Sequence, residues 1–148
     1  MQKQQRFHLI CAVHGVLQKP TGEVFILRRF NTGWRDGEYS LPAGHLDGEE
    51  TVTKGVIREV REESGVTVDP ENIAMVHVMH RVSELNESID FFFVIKKWQG
   101  EPHLAEPDKS DQVMWVSPQN LPANTVDYIS FFFGEYAAGR IYSEFGWK

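Results

Sequence analysis

The chain has 148 residues, 41% of them hydrophobic, which is enough for one ordinary domain spanning residues 1–148 and leaves no room for a second. Its formal charge of −6 excludes the broad basic face that nucleic-acid binding demands, so any anionic ligand must be met by local cations. The single cysteine, Cys11, excludes an intrachain disulfide or a cysteine zinc site, and its apolar neighbours Ile10 and Ala12 point to a buried, inert thiol.

In chain order, Met1 to Arg6 leads into an apolar run too short for a secretion signal, and no stretch approaches the roughly 20 apolar residues of a membrane helix. A cytoplasmic protein without membrane contact is expected. Residues 7–17 and 24–30 are rich in Phe, Ile, Val and Leu and flank the turn-forming Pro20-Thr21-Gly22, so they read as two strands of a hairpin. A loop over 31–38 and a short extended piece at 39–41 follow.

Over 51–63 the period changes. Val52, Val56 and Val60 share one helical face, Thr51 is placed to cap the start with acidic residues near it, and Gly65 stands where a left-handed residue would end the helix. Residues 73–82 and 89–98 read as a second hairpin, and the Gly-, Pro- and charge-rich stretch 100–111 as a long loop of the kind that carries function. A last strand at 113–116 and a second helix at 126–138 complete the assignable elements, while 141–148 fits none. Phe91-Phe92-Phe93 and Phe131-Phe132-Phe133 read as core, and most of the six histidines as structural or exposed, with His45, His80 and Arg81 able to face an anionic ligand. The order implies a mixed α/β sandwich with helices packed on a sheet.

The segment Gly44 to Val66 carries the chemistry. Glu59 and Glu62 are three apart and Glu59 and Glu63 four apart, so three carboxylates share one helical face opposite the valines. Each such like-charged pair costs roughly 0.2–0.5 kcal/mol in an isolated helix, so the cluster is either a plain solvated acidic face or one whose repulsion a cation offsets. Oxygen-only ligands favour Mg²⁺ or Mn²⁺ over Zn²⁺. The interior glycine Gly55 costs about 1 kcal/mol against alanine and reads either as tight packing or as a neutral substitution.

With Gly44, Glu50, Arg58, Glu59, Val60, Glu62, Glu63, Gly65 and Val66 in register, this segment resembles the Nudix box, and it follows two strands as in that family. The resemblance implies an α/β/α sandwich with a curved mixed sheet and a loop-helix-loop that holds divalent cations against a pyrophosphate. It makes Glu62 and Glu63 metal ligands, Glu59 a ligand or the catalytic base, and Arg58 the residue that orients them. Gly44, with the Ala43 carbonyl before it, takes the close-approach loop position at the metal. The family more often has Pro-Gly-Gly where this chain has Pro42-Ala43-Gly44, but alanine keeps the carbonyl and metal binding is expected to survive.

Three further segments resemble the MutT-like branch of that family. Phe25 to Arg29 is similar to a strand whose final arginine contacts substrate phosphate, against which stands an ordinary surface arginine at Arg29. Trp98 to Pro102 resembles the approach to a catalytic loop and gives Glu106 the role of an extra metal ligand or base, with Asp108 and Asp111 as rivals. Leu121 to Asn124 resembles a purine-reading segment, although Asn124 is equally suited to cap the second helix. The implied activity is Mg²⁺-dependent hydrolysis of a purine nucleoside triphosphate, oxidised forms included, to the monophosphate and pyrophosphate, with Mn²⁺ a substitute. ADP-ribose or a nucleotide sugar is the alternative substrate, and a noncatalytic nucleotide sensor the alternative class. The only partner implied is a small nucleotide, with the chain a monomer or homodimer.

Overall fold

The structure, a computed structural model, describes residues 4–148; Met1 to Lys3, the start of the segment weighed above as a secretion signal, lie outside it. Two sheets form a curved mixed α/β framework. One contains, in spatial order, β4 (Ala43–His45), β1 (Ile10–Leu17), β6 (Glu87–Ile95), β5 (Ile73–Val82) and β8 (Tyr142–Phe145). The other is antiparallel and contains β3 (Tyr39–Ser40), β2 (Val24–Arg29) and β7 (Ser110–Val116). None of its helices is long and apolar enough to cross a membrane.

The first expected hairpin does not form. β1 has both edges occupied, by β4 antiparallel and by β6 in parallel register, so the chain turns at Lys19–Gly22 and β2 leaves to pair with β3 and β7. Only an isolated bridge between Gln18 and Val24 remains of the hairpin. The second hairpin forms as expected, with β5 and β6 antiparallel from Ile73↔Ile95 to Val82↔Glu87.

Alternation along the central strands feeds two cores, because successive side chains of a strand face opposite sides. Val13, Leu17, Phe93 and Ile95 pack with Val56 and Val60 of α1 (Val52–Ser64), while Val16, Phe92 and Val94 pack with Ile129 and Phe132 of α2 (Asp127–Ala137). Helix α1 has the expected ends: the Thr51 hydroxyl accepts from the Lys54 N–H at 3.1 Å, and Gly65 closes it at φ 79°. The acidic residues precede the helix rather than fill its first turn. A Cβ on Gly55 would collide with Leu46, so of the two readings of this glycine tight packing holds.

Helix α2 differs from expectation at its start. Val126 is its cap residue and contributes no side-chain bond, so Asn124 does not cap it. Segment 141–148, which no local pattern assigned, supplies β8, parallel to β5 from Val78↔Tyr142 to Arg81↔Phe145. Cys11 is half-buried rather than buried, and burial followed by the Asp90 charge raises its thiol pKa, which keeps it protonated and unreactive.

Candidate active site

Helix α1, strand β4 and the 100–111 loop converge on a cleft of about 830 Å³. Arg58 organises its floor. Its Nε and Nη2 donate to the two Glu50 oxygens at 3.1 and 2.7 Å, its Nη1 donates to Glu59 at 2.7 Å, and Nη2 also reaches the His45 carbonyl at 3.2 Å. A planar guanidinium can hold two carboxylates and a carbonyl in one geometry, which an ammonium cannot. Arg58 first, then the Asp47 N–H, bring the Glu50 carboxyl down to about 2. Glu50, conspicuous in the sequence, therefore anchors Arg58 and does not line the cleft.

Glu59 is buried and lies so close to β4 that a Cβ on Gly44 would collide with its carboxyl group. Burial raises its pKa and the Arg58 bond opposes the rise. Glu63 accepts from the Ala43 N–H at 2.9 Å, which ties the helix to the residue before Gly44. Burial, then the charges of Glu59 and Glu106, push Glu63 up to about 8, against the Ala43 N–H and Arg29. Glu62 is exposed at the cleft mouth, 3.4 Å from Arg58.

Glu106 lines the same cleft, and its charge is felt at Glu63. Its carbonyl accepts from the Lys109 and Ser110 N–H groups, so a tight turn presents the side chain. Of the two rivals, Asp111 is engaged by Arg28 through bonds of 2.8 and 3.0 Å, and Asp108 is exposed and lines no part of the cleft. Arg29 lines the cleft too, but its Nε holds the Trp34 carbonyl at 2.7 Å and its Nη2 the Thr32 hydroxyl at 2.9 Å, so it also shapes the 31–38 loop. His45 is exposed at the rim. Asn124 is not brought to this cluster: its amide donates to the Gly37 carbonyl at 2.9 Å and it lines no part of the cleft.

Beneath the cleft lies a second polar group, of which only Arg81 stood out in the sequence. Asp90 is fully buried on β6, accepting from Ser88 at 2.5 Å and Arg81 at 3.1 Å, and paired with His14 Nε2 at 2.9 Å. The available signal was an ionisable residue inside each of two apolar strands, Ile10–Leu17 and Ile89–Ile95. Burial works against the Asp90 anion, but the His14 bond and charge, Arg81 and Ser88 outweigh it and bring the carboxyl down to about 2. The native ion cluster thus contributes stability that is fully present above the unfolded pKa near 3.8 and is lost as pH falls through about 2. We expect urea unfolding to show a loss of about 2 kcal/mol across that window in the native chain. In Asp90→Asn the loss should be absent and the neutral-pH stability lower by a similar amount. An acid limb that is the same in both proteins would contradict this.

No three carboxylate, imidazole or thiolate groups among the described residues are already gathered as a closed metal cage. The groups present nonetheless fit a divalent cation. All the donors are oxygens, and the Glu63 carboxyl is raised first by burial and then by Glu59 and Glu106, a penalty on its anion that a bound cation would offset. A mixed α/β framework that presents a carboxylate helix in a cleft beside arginines suits a metal-assisted reaction of an anionic, phosphate-bearing substrate.

The NUDIX domain, as a sequence family, matches residues 9–131. The 8-oxo-dGTP diphosphatase of Escherichia coli (strain K12) is 26% identical over 110 residues, covering 74% of this chain and 81% of that protein. The ADP-ribose pyrophosphatase of Methanocaldococcus jannaschii is 26% identical over 121 residues, covering 82% and 69%. In fold, the crystal structure of a MutT NUDIX hydrolase from Burkholderia pseudomallei superposes with a TM-score of 0.78 at 19% identity, over 86% of this chain and 98% of that one. The chain belongs to the Nudix family and is a pyrophosphohydrolase of that family, whose members use divalent metal ions.

Proposed function

We propose that the chain hydrolyses purine nucleoside triphosphates, oxidised forms included, to the monophosphate and pyrophosphate, with Mg²⁺ as cofactor and Mn²⁺ able to replace it. The observation that carries the reading is that Glu59, Glu63 and Glu106 line one cleft, where the charges of Glu59 and Glu106 add to burial in pushing Glu63 up to about 8. Similarity to a protein named 8-oxo-dGTP diphosphatase, and Arg29 at the cleft wall, favour a triphosphate.

On this reading Glu59, Glu62, Glu63, Glu106 and the loop carbonyl at Ala43-Gly44 hold the cation. A divalent cation supplies charge neutralisation at the phosphates and a more acidic water. Arg58 keeps Glu59 in one orientation through its 2.7 Å bond. Glu59, raised by burial and held by a single strong bond, is placed to accept the proton of the attacking water. Arg29, which lines the same cleft, would neutralise substrate phosphate. The protein acts on a small nucleotide in the cytoplasm, as a monomer or homodimer.

Similarity to a protein named ADP-ribose pyrophosphatase supports a second reading, in which the same site cuts a dinucleotide-like pyrophosphate. A product-resolved hydrolysis screen with Mg²⁺ separates the two. Pyrophosphate release from dGTP and 8-oxo-dGTP, at least about tenfold faster than cleavage of ADP-ribose or nucleotide sugars, is the expected result. Faster cleavage of ADP-ribose overturns the substrate, and absence of turnover on every compound overturns the enzyme in favour of a sensor.

A further inference from the structure

The carboxylate cleft does not end at the carboxylates. It runs past Trp34, Arg81 and Tyr128 into a second cavity of about 850 Å³ that Phe145 and Trp147 wall on the far side. Resting on the nucleotide-hydrolase reading above, we propose that this cavity holds the nucleobase of the substrate, and that the C-terminal segment Tyr142–Trp147 is its stacking wall.

The wall is built rather than incidental. His77, buried on β5, is bonded through Nε2 to the Ser143 hydroxyl at 2.7 Å and through Nδ1 to the Arg140 carbonyl at 2.9 Å, which fastens β8 from inside the sheet. Gly146 then turns at φ 85° against the end of β5, where a Cβ would collide with the Val82 carbonyl. That turn folds Trp147 back over His80, with ring centroids 4.7 Å apart and the indole N–H donating to the His80 carbonyl at 3.1 Å. Trp147 is therefore held in place although 46% of it is exposed.

The rings form a series. Trp34 lies 6.4 Å from Tyr128, and Tyr128 lies 6.4 Å from Phe145. The two arginines of the cavity are already balanced, Arg81 by Asp90 at 3.1 Å and Arg35 by Asp127 at 3.3 Å, which leaves Lys148 at the C-terminal end, opposite in sign to Glu84, as the remaining cation of the lining. Tyr128 is buried with the Arg81 guanidinium 3.9 Å from its ring centroid, so it backs the cavity, while the exposed face of Trp147 suits a planar heteroaromatic ring whose phosphates would extend toward Arg29 and the carboxylates.

The four tryptophans provide the test in the native protein. Trp34 and Trp147 belong to the cavity, whereas Trp98 and Trp115 stack on each other against the α1-side core. Titration with dGMP and Mg²⁺, followed by the indole N–H resonances, should shift Trp34 and Trp147 and leave Trp98 and Trp115 in place. The Trp147→Ala variant, its fold checked by thermal melting, should bind dGMP about tenfold more weakly. Silent Trp34 and Trp147 resonances, whether dGMP binds elsewhere or not at all, overturn the subsite. Triphosphate turnover with those two indoles silent sinks the subsite and keeps the function, while shifted indoles without turnover sink the function and keep the subsite.

Discussion

Glu63→Gln is expected to lose about 10³-fold in turnover while its metal-free form melts higher than the native chain. The amide is nearly isosteric and keeps an oxygen for the Ala43 N–H that Glu63 accepts at 2.9 Å, so the link between α1 and β4 survives. What disappears is the anion. In the native chain burial, Glu59 and Glu106 raise this carboxyl to about 8, whereas in the unfolded chain it titrates near 4.5. Between those values the folded state binds one proton more than the unfolded state, so metal-free stability falls as pH rises through the window. Because the side chain is only half-buried, the penalty is discounted to about 1–2 kcal/mol, or about 3–6 °C in melting temperature. The gap between variant and native protein should widen from about pH 5 to about pH 9. Excess divalent cation should close it by stabilising the native chain alone. Calorimetry across that range, with and without cation, checks the point; a variant that melts lower at every pH, or keeps a tenth of its turnover, would refute it.

Much of the site-bearing helix is legible because its signals are local. Thr51, the valine stripe, Gly55 and Gly65 lie within one segment, and each meets the neighbour that its position implies. The second hairpin is local too. The misreadings share the opposite cause. β1 and β2 have hairpin composition, yet β6, more than seventy residues downstream, takes the edge that β2 would need. β8 pairs in parallel with a strand some sixty residues upstream, and no turn residue announces such a partner. Asn124 stands before a helix as a cap would, but the Gly37 carbonyl of the 31–38 loop takes its amide instead. Between residues 100 and 111 the sequence offers four acidic residues, and no local pattern, only the family resemblance, singles out Glu106. The bond from Arg28 to Asp111 is a contact between paired strands β2 and β7 that engages Asp111, while Glu106 lines the cleft and its charge reaches Glu63. The His14–Asp90 pair likewise joins strands 76 residues apart in sequence, and each half alone reads as an odd polar residue in an apolar run.

Gly44→Ala should cost at least about 10²-fold in turnover although it adds only one methyl group and removes no ionisable group. Gly44 has no left-handed conformation to explain its presence; what it supplies is clearance, since a Cβ there would occupy the position of the Glu59 carboxyl. Strand β4 is held on both sides, by its pairing with β1 at Val13↔Gly44 and by the Ala43 N–H bond to Glu63, so the backbone cannot retreat cheaply. Glu59 must move instead, and it gives up the 2.7 Å bond from Arg58 that aims it. Overpacking of this kind costs about 1–3 kcal/mol in stability. A double-mutant cycle isolates the cause, because Glu59→Ala removes the group that the new methyl meets. In that background Gly44→Ala should destabilise by no more than about 0.5 kcal/mol. An undiminished penalty there would show that the strand, and not Glu59, resists the methyl group.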